Sequence, residues 1–263
     1  MTSRDVRTIN ALRTGHDDLV ALLAKLGPDD VTHSSGASEW TVAQVLSHLG
    51  SGAEINLATL DGSIDGTGGP SMDFNKSVWA RWDAMSPAEQ AANFPAANEK
   101  LLSRYEGLDE STRAELRVAF SFLPQPVDVA TAAGMRLSEF ALHSWDVRVG
   151  LDTAATVAPE ATELLLDGVG ALLGFTGKAD QIDGAVTLAV HTTDPDRSFG
   201  LVIADTVALA DVPESVDGVL TAPAEYVVRL VSGRHATAYT PDSVTLTGDA
   251  VTLDDLRRVF PGY

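Results

Sequence analysis

Residues 135–149 read Met-Arg-Leu-Ser-Glu-Phe-Ala-Leu-His-Ser-Trp-Asp-Val-Arg-Val, the pattern of one helix with apolar contacts at Leu142, Trp145 and Val149. Glu139 and His143 are four residues apart, so a helix stacks them on one face, and Asp146 follows three residues later on that face. A carboxylate and an imidazole stacked in this way can hold one metal ion. Two ligands do not complete a site. The best donor of a third is His48, in Trp40-Thr-Val-Ala-Gln-Val-Leu-Ser-His-Leu49. Such a site requires two helices, far apart in sequence, to lie side by side.

That second helix begins near Thr41. Thr41 and Gln44 have the spacing of a capping box, and Trp40 occupies the position of the preceding staple residue. Val42, Val45, Leu46 and Leu49 supply its buried face, which puts His48 near the core side. Alone, His48 reads as a half-buried histidine with one hydrogen-bond partner. Together, His48, Glu139 and His143 offer two neutral imidazoles and one carboxylate. This set suits catalytic Zn²⁺, with a fourth position left for water or substrate. Fe²⁺, Ni²⁺ and Co²⁺ fit the same donors. The order differs from His-Glu-x-x-His, so there is no in-line glutamate base of the metalloprotease kind. Asp146 has two readings: an acceptor for a ligand histidine or another pocket donor, or a surface-turn residue paired with Arg148.

The remaining chain divides by texture. A first helix over 5–26 carries a leucine stripe and stops at Gly27-Pro28. His16 reads as a surface or structural histidine and His33 as a solvated one. Residues 61–71 form a Gly/Asp/Ser loop without phosphate-loop spacing. A long third helix follows over about 75–105, with breaks expected at Pro87 or Pro95. Trp79, Trp82, Met85, Leu101 and Leu102 are assigned to the core. Residues 107–134 read as irregular or partly extended, with a strand-like crossing at 118–123, and another helix covers 159–175. After Gly177 the pattern turns to alternation, with strands at 185–191, 199–204 and 206–209. A helix at 223–231, strands at 235–239 and 244–247, and a helix at 253–260 complete the chain. The expected organisation is a helical domain over 1–178 and a small α+β domain over 179–263.

The 263 residues contain no cysteine, which excludes disulfides, thiolate metal sites and cysteine nucleophiles. Any thiol in the chemistry must be a cofactor or substrate. A formal net charge of −19 repels nucleic-acid backbones and anionic membranes. There is no apolar signal core in the first twenty residues and no 18-residue apolar run, so a cytoplasmic location without a membrane span is the expectation.

Trp40-Thr-Val-Ala-Gln-Val-Leu-Ser-His48 and Leu137-Ser-Glu-Phe-Ala-Leu-His-Ser-Trp-Asp146, in this order and separation, resemble the mycothiol-dependent maleylpyruvate isomerase family. The amino-terminal domain of that family belongs to the wider DinB-like metal-binding bundles. The resemblance implies an all-α DinB-like four-helix bundle with extra helical elements, followed by the small α+β domain. It also implies a divalent metal, usually taken as zinc, on His48, Glu139 and His143. Residues 217–234, ending in Gly233-Arg234, resemble the family's carboxy-terminal segment, where a small domain folds over the metal cleft. Arg234 is thereby a candidate clamp for a substrate carboxylate, since guanidinium binds carboxylates in bidentate fashion; its other reading is a helix-end cation.

The implied chemistry is metal activation of mycothiol as thiolate, addition to a cis double bond, rotation, and thiol elimination. Mycothiol and a small electrophile, anionic in the maleylpyruvate case, are the implied partners; oligomeric state is not readable. The alternatives are mycothiol S-transfer to another electrophile, a metal-dependent hydrolase working without thiol, and a non-enzymatic small-molecule binding protein.

Overall fold

A computed structural model describes residues 3–262. The described residues form two compact units, one ending at Asp152 and the other beginning at Thr153.

In the first unit, helices α1 (Arg4–Leu23), α2 (Val42–Ile64), α4 (Pro87–Glu106) and α6 (Val129–Val149) form a closed four-helix arrangement. Helix α2 packs on α4 and α6, and α1 packs on the same two. The expected capping box at Thr41 and Gln44 is present. Helix α2 runs to Ile64, absorbing the first residues assigned to the 61–71 loop. Asp61 is thereby brought to Arg104 on α4, with Nε donating to Oδ1 at 2.6 Å.

The expected 75–105 helix is two. Helix α3 (Met72–Asp83) ends before Pro87, which opens α4 behind a Ser86/Glu89 capping box. Proline at the first helical position loses only an N–H that has no partner there. Pro95 instead lies inside α4 without ending it. Trp82, Leu101 and Leu102 are buried as expected, but Trp79 is exposed, because the buried side of α3 follows Asn75, Val78 and Trp82.

Between α4 and α6 the chain forms helix α5 (Glu110–Glu115) and a minimal antiparallel pair, β1 (Arg117–Val118) with β2 (Val127–Asp128). The strand-like crossing at 118–123 is thus confined to Val118. Helix α6 starts at Val129, six residues before the stretch read from sequence, because Asp128 caps it by accepting from the Thr131 N–H.

The second unit begins at Thr153, not at 179. Helices α7 (Pro159–Asp167) and α8 (Val169–Thr176), read as one helix, are separated at Gly168. They pack on elements of the α+β region: α7 on α9 (Ala224–Val231), and α8 on α9 and β5 (Val207–Ala210). The other strands are β3 (Val186–Thr193), β4 (Arg197–Ile203), β6 (Gly218–Pro223) and β7 (Thr245–Thr247). Their order is β5-β4-β3-β6-β7, with β3 and β6 parallel and the other neighbours antiparallel. Helix α10 (Leu253–Val259) follows the last strand. No helix among the described residues is long and apolar enough to cross a membrane.

Residues 235–239, read as a strand, contain a 3-10 turn at Thr237–Tyr239. The cause lies at the end of α9. Gly233, at φ +80°, closes a Schellman motif in which Gly233 N–H donates to the Leu230 carbonyl and Arg234 N–H to the Arg229 carbonyl. The buried Arg229 guanidinium then donates to the carbonyls of Arg234 and Tyr239, folding the chain back on the helix.

Candidate metal centre

Helix α2 contributes His48, and α6 contributes Glu139, His143 and Asp146. One ligand atom from each of His48, Glu139 and His143 lies within 4.8 Å of the other two. Glu139 Oε1 faces both imidazoles: it contacts His48 Nε2 directly and stands 3.4 Å from His143 Nε2. The two rings meet edge to face, with centroids 4.7 Å apart.

Asp146 is 0% exposed, and its Oδ2 lies 2.8 Å from His143 Nδ1. Of its two readings, the geometry gives the one beside a histidine. A carboxylate accepting from Nδ1–H keeps a proton on that nitrogen, so a neutral His143 ring turns its Nε2 lone pair towards Glu139 and His48, whereas a protonated ring donates from Nε2 to Glu139.

Glu139 feels two opposed effects. Burial raises its pKa, but hydrogen bonds and charge attraction from His143 and His48 outweigh it and hold the carboxyl well below the usual range. Its side chain keeps 45% of its surface open, so the ring contacts set the direction rather than desolvation.

Two features of this centre were not singled out from sequence. The first is Trp40. Expected as a staple, it is 37% exposed, with its indole 5.2 Å from the His48 ring and stacked at 6.0 Å on the His143 ring. The position immediately before the cap was the available signal. The second is Arg136, one turn before Glu139 on α6 and buried. Its Nη2 donates to the Leu49 carbonyl on α2 and to Asn98 Oδ1 on α4, tying three helices together next to His48. Desolvation lowers its pKa to about 10, against attraction from Glu139, so it remains a cation at neutral pH.

Among the other candidates, His16 is buried and accepts at Nδ1 from Asn98 Nδ2 at 3.0 Å, consistent with a structural role, and His33 is exposed. Arg234 belongs to the second unit. It is half-buried, and its Nη1 donates to the Ser232 carbonyl at 3.2 Å.

A four-helix unit in which two helices present two imidazoles and a carboxylate, with a buried carboxylate behind one imidazole, defines a helical-bundle protein with a candidate metal centre. Residues 12–148, just over half of the chain, match the family model for the mycothiol maleylpyruvate isomerase N-terminal domain. The chain belongs to that family. Its fold is shared by the crystal structures of a mycothiol-dependent maleylpyruvate isomerase and of a histidine-to-alanine mutant of such an enzyme. Identity is 14% and 15% respectively, the TM-score is 0.66 for each, and the alignments cover 94% of this chain and 96% of theirs. No curated protein matches the chain.

Proposed function

We propose that the protein is a divalent-metal enzyme that activates mycothiol for attack on a small electrophile, with zinc as the resident ion. The observation that carries this reading is the donor cluster itself. Two imidazole nitrogens and a carboxylate oxygen lie within 4.8 Å of one another, in a member of this family. The residues fit such an ion. The donor types are those of catalytic zinc sites, and the bond to Asp146 turns the His143 lone pair towards the other two donors. An ion held by these residues would supply Lewis acidity, which would favour thiolate over thiol near neutral pH.

The chain's own residues do the rest. His48, Glu139 and His143 furnish the donors, and Asp146 keeps the His143 proton on Nδ1. We assign to Arg234 the binding of a substrate carboxylate. In the isomerisation, thiolate adds to the cis carbon–carbon double bond and the π pair moves onto the conjugated carbonyl. Rotation about the resulting single bond follows. The electron pair then returns, the carbon–sulfur bond breaks, and the trans alkene and thiolate are released.

Metal content after chelator-free purification tests the first half: about one ion per chain is expected for a single three-ligand site. Alanine at His48, Glu139 or His143 should sharply weaken binding, and unchanged affinity in all three variants would reject the assignment. Assay of metal-loaded protein with maleylpyruvate, with and without mycothiol, tests the second half. Trans product that requires mycothiol supports isomerisation, accumulation of a stable thioether reassigns the reaction as S-transfer, and equal turnover without mycothiol rejects the thiol. Arg234→Ala should lower kcat/KM by more than roughly tenfold at unchanged metal content, as loss of a charge-assisted contact predicts.

A further inference from the structure

The two histidines are held differently. His143 has its Nδ1 fixed by the buried Asp146. Among the described residues, His48 makes one side-chain hydrogen bond, from Nε2 to Glu139, and its Nδ1 has no protein partner. Metal-binding histidines almost always give their second nitrogen to an acceptor that fixes the ring orientation. His48 has ring contacts instead: the Trp40 indole at 5.2 Å, tilted by 49°, and the His143 ring at 4.7 Å in a T-shaped arrangement.

The loop that carries Trp40 is built to hold it there. Ser35 donates to the Trp40 carbonyl through both its N–H and its Oγ–H, each at 2.9 Å. Val42 N–H donates to the His33 carbonyl at 2.9 Å, closing the base of the loop. Gly36 N–H donates to the Asp146 carbonyl at 2.8 Å, which fastens the loop to α6 at the residue that holds His143. A Cβ on Gly36 would stand 2.5 Å from Val149 and 2.9 Å from the Trp145 ring, so glycine is required for that approach. Glu39, immediately before Trp40, has φ +68°, a conformation that costs a non-glycine residue energy and persists only where the surroundings impose it.

We infer that Trp40 is the positioning residue for His48: its indole fixes by ring packing the imidazole orientation that a hydrogen bond fixes at His143. This rests on the metal-binding reading above and adds to it a residue with no donor atom in the cluster. The same indole stacks on the His143 ring at 6.0 Å, but the orientation of that ring is already held by Asp146.

The test is a zinc affinity measurement by chelator competition on wild type, Trp40→Phe and Trp40→Ala, with the apo thermal midpoint of each as the folding control. Trp40→Ala is expected to bind zinc roughly tenfold or more weakly, the usual loss for an orienting partner. Trp40→Phe, which keeps a ring, should recover most of it. In a His48→Ala background, Trp40→Ala should cost no more than about twofold, because the residue it orients is gone. Cobalt substitution adds a second readout: the visible d–d bands should shift in Trp40→Ala and return towards wild type in Trp40→Phe. Should Trp40→Ala fail to fold, Trp40→Leu takes its place, filling the volume without a ring. Wild-type zinc affinity with an unchanged cobalt spectrum in the ring-less variant overturns the inference and leaves the metal site standing. So does an undiminished loss in the His48→Ala background. A wild-type protein that binds no zinc overturns the metal-binding reading itself.

Discussion

Asp146→Asn isolates the charge behind His143. Asparagine has nearly the same shape, and its carbonyl oxygen can still accept from Nδ1–H at the 2.8 Å position. What disappears is a full negative charge on a residue that is 0% exposed, where water cannot screen it. Replacing a charge-assisted hydrogen bond with a neutral one costs about 1 kcal/mol. The apo protein should therefore melt within roughly 2–4 °C of wild type. Metal affinity should respond more strongly, since the carboxylate raises the basicity of the ligand ring. A loss of about 10–100-fold, or about 1.4–2.7 kcal/mol, is expected. Competition against a chromophoric chelator at neutral pH, with zinc buffered, measures this directly. Affinity within about twofold of wild type, about 0.4 kcal/mol, would refute the reasoning and return Asp146 to a purely structural role.

Three further outcomes follow from the same geometry. Gly36→Ala forces a methyl to within 2.5 Å of Val149 and 3.0 Å of Asp146 Oδ1; overpacking of about 1–3 kcal/mol should lower the melting temperature by roughly 2–12 °C, and an unchanged midpoint would show that the loop yields freely. Among the described residues, the hydrogen-bond acceptors of Arg136 are neutral, Leu49 O and Asn98 Oδ1. Arg136→Met should therefore unfold in urea within about 1 kcal/mol of wild type, whereas Arg136→Ala loses about 2–4 kcal/mol to a cavity; equal losses would contradict this. Burial lowers the pKa of His16 from 6.5 despite the pull of Glu99. The unfolded chain then binds this proton more readily, so the contribution is complete above pH 6.5 and is lost as pH falls below it. His16→Gln should flatten the dependence of melting temperature on pH between about 7.5 and 5, and an unchanged slope would count against the assignment.

Local chemistry was the most legible part of the fold. The Thr41/Gln44 box is decided within four residues of chain and occurs where the sequence puts it, and of the two breaks expected at Pro87 or Pro95 the one at Pro87 occurs. Errors gather where a distant partner decides. Strand β6 (Gly218–Pro223) was not read as a strand, although it lies between β3 and β7 and alternates buried and half-buried residues. Residues 235–239 look extended by composition, yet Arg229 captures the Arg234 and Tyr239 carbonyls and bends the chain. Helices α7 and α8 read as the tail of a helical region, but they pack on α9 and β5 of the second unit. No local pattern announces which neighbour an amphipathic helix will take.

The candidate site divides along the same line. Glu139, His143 and Asp146 share one helix, so spacing alone places them on one face, and the bond between Asp146 and His143 is an i, i+3 contact. His48 lies 91 residues from Glu139, so no spacing rule joins the two; the apolar face of its own helix makes it the best third donor, and the family pattern strengthens that choice. Trp40 was visible as a residue but not as a neighbour: a tryptophan before a helix cap is ordinarily a staple. Its turn towards the imidazoles depends on a loop closed from His33 to Val42 and fastened to Asp146 through Gly36. Spacing on one helix reveals which groups can act together. How each is oriented depends on backbone that reaches it from elsewhere, and that is why the partner that holds His143 was legible in advance and the ring beside His48 was not.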